Sequence, residues 1–278
     1  MKRFVLSLLC ISVIFANAQV KTVAQATIIT KTTILSPDGD DGMPPPPPAP
    51  DGAEVRIVRF GGDGETKSTT YLKNNLVKTV VTNEMSINTT LRDNDKKITT
   101  TLIEMNGTKT GFYATDEETE QRRKQMDSLM QSRMPGNETA QNTTPPLTEI
   151  IYIDESKKIA GVACKKALLV TTRKNRIDSN VVWYCPDFKL QGITTTGGSA
   201  GFGGRVSTLN GLEKLNGFPM QYEMTMNRGR KMTVEVTKID IEKEVKDKEF
   251  EISKEFDVKP IKEMQNNGGG MMQIRIGN

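Results

Sequence analysis

Two thiols, Cys164 and Cys185, stand near the ends of GVACKKALLVTTRKNRIDSNVVWYCPDF (161–188). A zinc site would need further ligands, and the chain has neither a Cys-x-x-Cys motif nor any histidine. A redox dithiol would use that close spacing at a helix N-terminus, and a nucleophilic cysteine would need a histidine as base. What remains is a disulfide, which belongs to an oxidising compartment. If the chain turns near Lys174 and Asn175, the two cysteines fall opposite each other on neighbouring strands. Closing a loop of that size stabilises by ~3 kcal/mol in the chain-entropy model.

The missing histidine also removes the Ser-His-Asp triad and His-based acid–base chemistry. Serines are numerous, but none sits in a Gly-x-Ser-x-Gly elbow or a Ser-x-x-Lys arrangement. TGGSAGFGGR (196–205) is rich in glycine but lacks the Lys-Ser/Thr ending and the following helix of a phosphate loop, and reads as a connection. Asp38, Asp40 and Asp41 resemble the start of a calcium loop, yet Ala49 stands where the bidentate glutamate belongs. Asp240 and Glu242 share one face of a strand and are the kind of pair that a carboxylate-only hydrolase would need. No catalytic, metal or cofactor residue is assigned.

The chain opens MKRFVLSLLCISVIFANAQV. Basic Lys2 and Arg3, an apolar run from Phe4 to Phe15 and the small-x-small triplet Ala16-Asn17-Ala18 read as a signal peptide over 1–18, cleaved after Ala18. The run is shorter than the ~20 residues of a membrane span, and no transmembrane anchor is expected. Cys10 follows Leu8-Leu9 and lies too early for a lipidation site. The expectation is a protein exported to the periplasm or secreted. Loss of Lys2 and Arg3 takes the formal charge from +4 to +2. With aromatics at 5%, that leaves neither a basic face nor stacking rings for nucleic acid.

Alternation organises the rest. The strand ATIITKTTIL (26–35) and a proline-rich loop make an N-terminal part over 19–53. The loop, SPDGDDGMPPPPPAPDG (36–52), holds five successive prolines that impose an extended, ladder-free segment. Short period-two runs follow: EVRIVRF, KSTTYLKN, NLVKTVVTN, SINTTLRD, KITTTLIEM and KTGFYAT, separated by Asn and Gly turns. After one helical stretch strands resume with TEIIYID, KKIAGVACKKALLVTT, NVVWYC, KLQGITTT, FPMQYEMTM and RKMTVEVTKIDIE. A sheet domain is expected over 54–258 and a glycine-rich tail over 259–278, in which MQIRI alternates.

The helix is expected at about 116–134. Thr115 and Glu118 form a capping box, acidic residues crowd the first turn, and Pro135-Gly136 ends it. Met126, Leu129, Met130 and Met134 recur at three- and four-residue spacing. That stripe suits packing on a sheet, and its methionines would also suit the wall of an apolar ligand site.

KKIAGVACKKALL (157–169), VVWYCPDF (181–188), GLEKLNGFPMQYEM (211–224) and KMTVEVTKID (231–240) come in an order that resembles the bacterial exported family called domain of unknown function 4412. That family is similar to the LolA/LolB-like lipoprotein-carrier superfamily, and GLEKLNGFPMQYEM also resembles the Gly-Leu-Pro-Gly-Leu-Ile exported proteins of Gram-negative bacteria. The resemblance implies an antiparallel half-barrel wrapped around helical cover, with acyl chains held between sheet and helix. The fold expected is therefore mainly β (α+β), an antiparallel half-barrel meander with one amphipathic helix on its concave face. The function expected is a non-enzymatic envelope protein that binds a lipid or other apolar ligand. The alternative is a self-filled structural or protein-interaction module with an envelope protein as partner, and a carboxylate-only hydrolase comes third.

Overall fold

The computed structural model describes residues 20–36, 64–83, 86–133, 147–173, 176–191, 211–226 and 229–264. The leader, nearly all of the proline-rich loop, EVRIVRF, the glycine-rich loop and the last residues with MQIRI lie outside them. The strands are β1 (Lys21–Val23), β2 (Gln25–Leu35), β3 (Gly64–Lys73), β4 (Leu76–Thr82), β5 (Ser86–Asp93), β6 (Ile98–Met105) and β7 (Thr108–Thr115). Helix α1 (Asp116–Arg133) leads on to β8 (Leu147–Ile159), β9 (Val162–Arg173), β10 (Arg176–Cys185), β11 (Phe188–Leu190), β12 (Phe218–Thr225) and β13 (Lys231–Asp240). The short β14 (Asp257–Pro260) and α2 (Ile261–Met264) complete the described chain.

Twelve strands form one open, mainly antiparallel sheet of half-barrel type in the order β14-β7-β6-β5-β4-β3-β2-β13-β12-β10-β9-β8. Consecutive strands pair on each side of the helix, as a meander should. Two features depart from the reading of the sequence. KKIAGVACKKALLVTT is not one strand: it reverses at Ala160-Gly161, both at positive φ (50° and 81°), and so contributes to β8 and β9. β14 was not anticipated, and it runs parallel to β7 with Val258 beside Gly111. A side chain at Gly111 would press on Leu102 and the Thr101 carbonyl of β6 and, less closely, on Val258 of β14.

The ends of the chain meet mid-sheet. β2 lies between β3 and β13, so the first and last long strands pair. The β12–β13 ladder stops at Gln221–Glu235, whereas β12 continues beside β10 to Cys185–Phe218 and β13 continues beside β2 to Asp240–Thr27. The sheet therefore splits. Cys185, Phe218 and Met220 from one arm pack with Ala26, Ile28, Leu72 and Val236 from the other. The parallel pair β1–β11 bridges the two arms, since β1 runs into β2 and β11 follows β10 by two residues. Below the split a second core joins Ala167, Leu169, Val182, Met224 and Met232 under Leu212 and Leu215 of the connecting turn.

The same sheet face changes character across its width. Ile34 opposes Met232 in the second core, and Ile28, on the same side of β2, opposes Thr70. From there Thr70, Thr79, Thr90 and Thr101 stand opposite one another on β3 to β6. The Thr70 and Thr79 hydroxyls lie 3.1 Å apart, a cross-strand pair of the kind that stabilises a sheet. The face that is aliphatic under β8–β13 is thus crossed by a row of hydroxyls under β3–β6, with Val77, Val81 and Ile103 beside it on the same side. On the opposite face of β3–β7 the chain after β13 folds back as cover, with Val245, Phe250 and Ile261 buried. Lys73 holds Asp247 at 2.7 Å there, and Lys109 holds Glu255.

Candidate functional site: the motif strands and their open face

The four family-like segments fall on adjacent parts of the sheet: the end of β8 with β9, then β10 to β11, the turn with β12, and β13. The turn GLEKLNG shows why its residues are spaced as they are. Leu212 and Leu215 are buried in the second core. Glu213 accepts the Gly211 N–H at 3.0 Å, and Lys214 reaches the Thr148 carbonyl at the free side of β8. Gly211, at φ 104°, lies against Thr148, whose Cγ2 would be 2.4 Å from an added Cβ. Gly217, at φ 155°, lies closer still to β10: an added Cβ would be 2.1 Å from the Cys185 carbonyl oxygen. The Tyr152 hydroxyl accepts the Asn216 N–H at 3.0 Å, and its ring meets Tyr184 edge-on.

The register of β9 and β10 brackets Lys174 and Asn175, as the sequence suggests, and runs from Arg173–Arg176 to Lys165–Tyr184. Cys164 and Cys185 are the next residues and come to the same level. They are unbridged here, 1% and 0% exposed, in one core. The Cys164 thiol donates to the Val162 carbonyl at 3.4 Å. Burial, and then the neighbouring Cys185, push the Cys164 thiol up to about 11, and burial pushes Cys185 in the same direction. Beside them lies the chain's single tryptophan, Trp183, with Lys157 4.3 Å and Lys166 5.7 Å from its ring centre.

Further along the strands, the face of β8–β10 that carries Cys164, Trp183 and Cys185, opposite the second core, is open. Leu147, Thr172 and Ile177 oppose one another, as do Ile151, Leu168 and Val181. Leu147, Ile151 and Ile177 are 60%, 50% and 72% exposed. Alternation along these runs marks a half-buried strand but carries no signal of which half faces water.

Helix α1 joins the hydroxyl-lined face through its first turn. The capping box forms as expected: Thr115 donates its backbone N–H to Glu118 at 2.9 Å, and the Glu118 N–H returns to the Thr115 hydroxyl at 3.2 Å. Arg92 pairs with Asp116 through both guanidinium arms, and Lys262 of α2 holds Glu118 at 2.9 Å. Of the methionine stripe, Leu129 is 54% exposed. The side chains of Met126 and Met130, and Met134 altogether, lie outside the described residues.

The carboxylates are arranged as ion pairs and caps. Arg92 holds Asp116 below its usual range, and Lys31 does the same to Glu65. Glu118 is lowered first by the Thr115 N–H and then by Lys262. Asp240 and Glu242 do not share a strand face: β13 ends at Asp240, whose carboxylate accepts the backbone N–H groups of Glu242 and Lys243 at 3.1 and 2.9 Å. Those bonds lower the Asp240 pKa, the opposite of what a general acid requires. Among the described residues no group of three or more Cys, Asp or Glu is placed to hold a metal ion. No described helix is long and apolar enough to cross a membrane, which says nothing about spanning by strands.

No protein-family model matches the chain, and no curated protein does. Among solved structures, that of PNGF-II in the P21 crystal form is similar at 14% identity and a TM-score of 0.33, covering 87% of this chain and 33% of that one. Its C2 form gives 15%, 0.34, 87% and 32%. The chain spans about a third of the length of those structures.

Proposed function

We propose that this chain is a non-enzymatic, exported binding module whose half-barrel is filled by its own side chains and whose open β8–β10 face meets an envelope protein partner. One observation carries the reading. The two cores bury Leu72, Leu169, Leu215, Met220 and Val182 to at most 1% exposure, while Leu147, Ile151 and Ile177 face water. Aliphatic side chains left exposed together on adjacent strands mark an interaction surface. Buried side chains take up the second-core face of the sheet under β8–β13 and a row of threonine hydroxyls crosses it under β3–β6, which favours the self-filled module over the apolar-ligand carrier. The lowered carboxylates and the absent histidine weigh against hydrolysis.

Ile151→Lys with Ile177→Lys is expected to leave the fold intact, at a cost of about 1 kcal/mol per site, because both side chains already contact water. A photo-crosslinker at Ser179, an exposed position on the same face, should give partner adducts in the cell envelope with the wild-type background. The double variant should lose them. Equal adducts from both proteins would refute the assignment of this face, and adducts to lipid alone would return the apolar-ligand reading.

A further inference from the structure

We propose that Cys164 and Cys185 form a disulfide that closes before the split in the sheet closes, and is then sealed inside the core. Three observations carry this. The β9–β10 ladder brings the two residues to one level on adjacent strands. Opposite residues of an antiparallel pair have Cβ atoms about 4.5–5.5 Å apart, and a disulfide needs about 3.5–4.5 Å, so a small local adjustment joins them. Both sulfurs then lie under the other arm of the sheet, in one core with its Ala26, Ile28, Leu72 and Val236.

Burial decides the order of events. The reacting species is the thiolate. A thiol with its pKa near 11 is ionised at only about one part in ten thousand at neutral pH, and neither sulfur is open to an oxidant once the core has formed. In the unfolded or half-folded hairpin both thiols are accessible and titrate normally. One thiolate attacks a disulfide oxidant, either a small molecule or a protein, and expels one of its sulfurs as a thiol after proton uptake. The second thiolate attacks the resulting mixed disulfide, forming the Cys164–Cys185 bond and releasing the oxidant's other thiol. Two S–H bonds are lost, one S–S bond is made, and the oxidant takes up the two electrons and two protons. Packing of Ile28, Leu72 and the β1–β11 bridge over the bond then excludes reductant by the same geometry that excluded oxidant.

The test uses the full chain, refolded from denaturant in oxidised and reduced glutathione or in reductant alone, with Trp183 fluorescence reporting the fold. Alkylation in denaturant without reductant, followed by proteolysis, should recover the Cys164 and Cys185 peptides joined after oxidative refolding. The folded, oxidised protein should resist dithiothreitol until denaturant is added, and the reduced fold should melt about 5–10 °C lower. Full alkylation of both residues after oxidative refolding would overturn the bond, as would pairing of either with Cys10. Reduction as fast in the folded protein as in the unfolded one would overturn the sealed core.

Discussion

Gly217→Ala is expected to destabilise the fold by about 3–5 kcal/mol, more than the same change at Gly211 or Gly107. The new Cβ would lie 2.1 Å from the Cys185 carbonyl oxygen, 2.8 Å from its carbonyl carbon and 2.7 Å from Tyr184 Cδ2. Backbone cannot rotate away as a side chain can. Relief would require β12 to lift from β10 at the place where the two arms of the sheet separate, and this would open the core around Phe218 and Met220. Two other glycines calibrate the value. Gly211→Ala meets only the Thr148 side chain, which can turn aside. Gly107→Ala meets nothing within 4 Å, and its cost is the positive φ of 77° alone, about 1 kcal/mol. Urea unfolding of the three variants should rank them Gly217, Gly211, Gly107. An equal cost at Gly107 and Gly217 would mean that the close approach to Cys185 is not a constraint.

Leu169→Ala is expected to cost about 2–5 kcal/mol. Leu169 is 0% exposed on β9 and packs among Ala167, Val182, Leu212 and Leu215. Its loss removes transfer energy and leaves a void that the surrounding strands close only in part. Leu129→Ala on α1, at a side chain 54% exposed, should change stability by no more than about 0.5 kcal/mol. The contrast separates two views of the sheet. If the region under Leu212 and Leu215 were the wall of a site awaiting an apolar molecule, Leu169→Ala would enlarge the site at little cost to the empty protein. A loss below about 1 kcal/mol would favour that view.

The elements that could be read in the sequence are those fixed by local chemistry. SINTTLRD is β5 to the residue, and the Thr115–Glu118 box sets the start of α1. The β9–β10 register on either side of Lys174 and Asn175 brings the cysteines level, as a short connection at that point in the sequence implies. What escaped the reading depends on distant partners. Nothing near β2 announces that β13 will pair with it. Ala160-Gly161 is a weak turn signal inside an apolar run, so β8 and β9 were fused. DVKP carries a proline, which discourages a central strand, yet as an edge strand β14 can end at Pro260, needing its ladder on one side only. The methionine stripe rests on spacing in a helix that is mostly Asp, Glu, Gln, Arg and Lys, and of its four members only the Leu129 side chain is described. The exposed face of β8–β10 required knowing which side of each strand the second core takes.

The central claim is that this half-barrel holds only its own side chains. Native mass spectrometry of the chain purified without detergent from the envelope of its own cells tests this most directly. A self-filled sheet predicts the mass of the processed polypeptide alone, unchanged after organic extraction. A stoichiometric adduct of lipid mass, lost on extraction and accompanied by a fall in Tm, would contradict it.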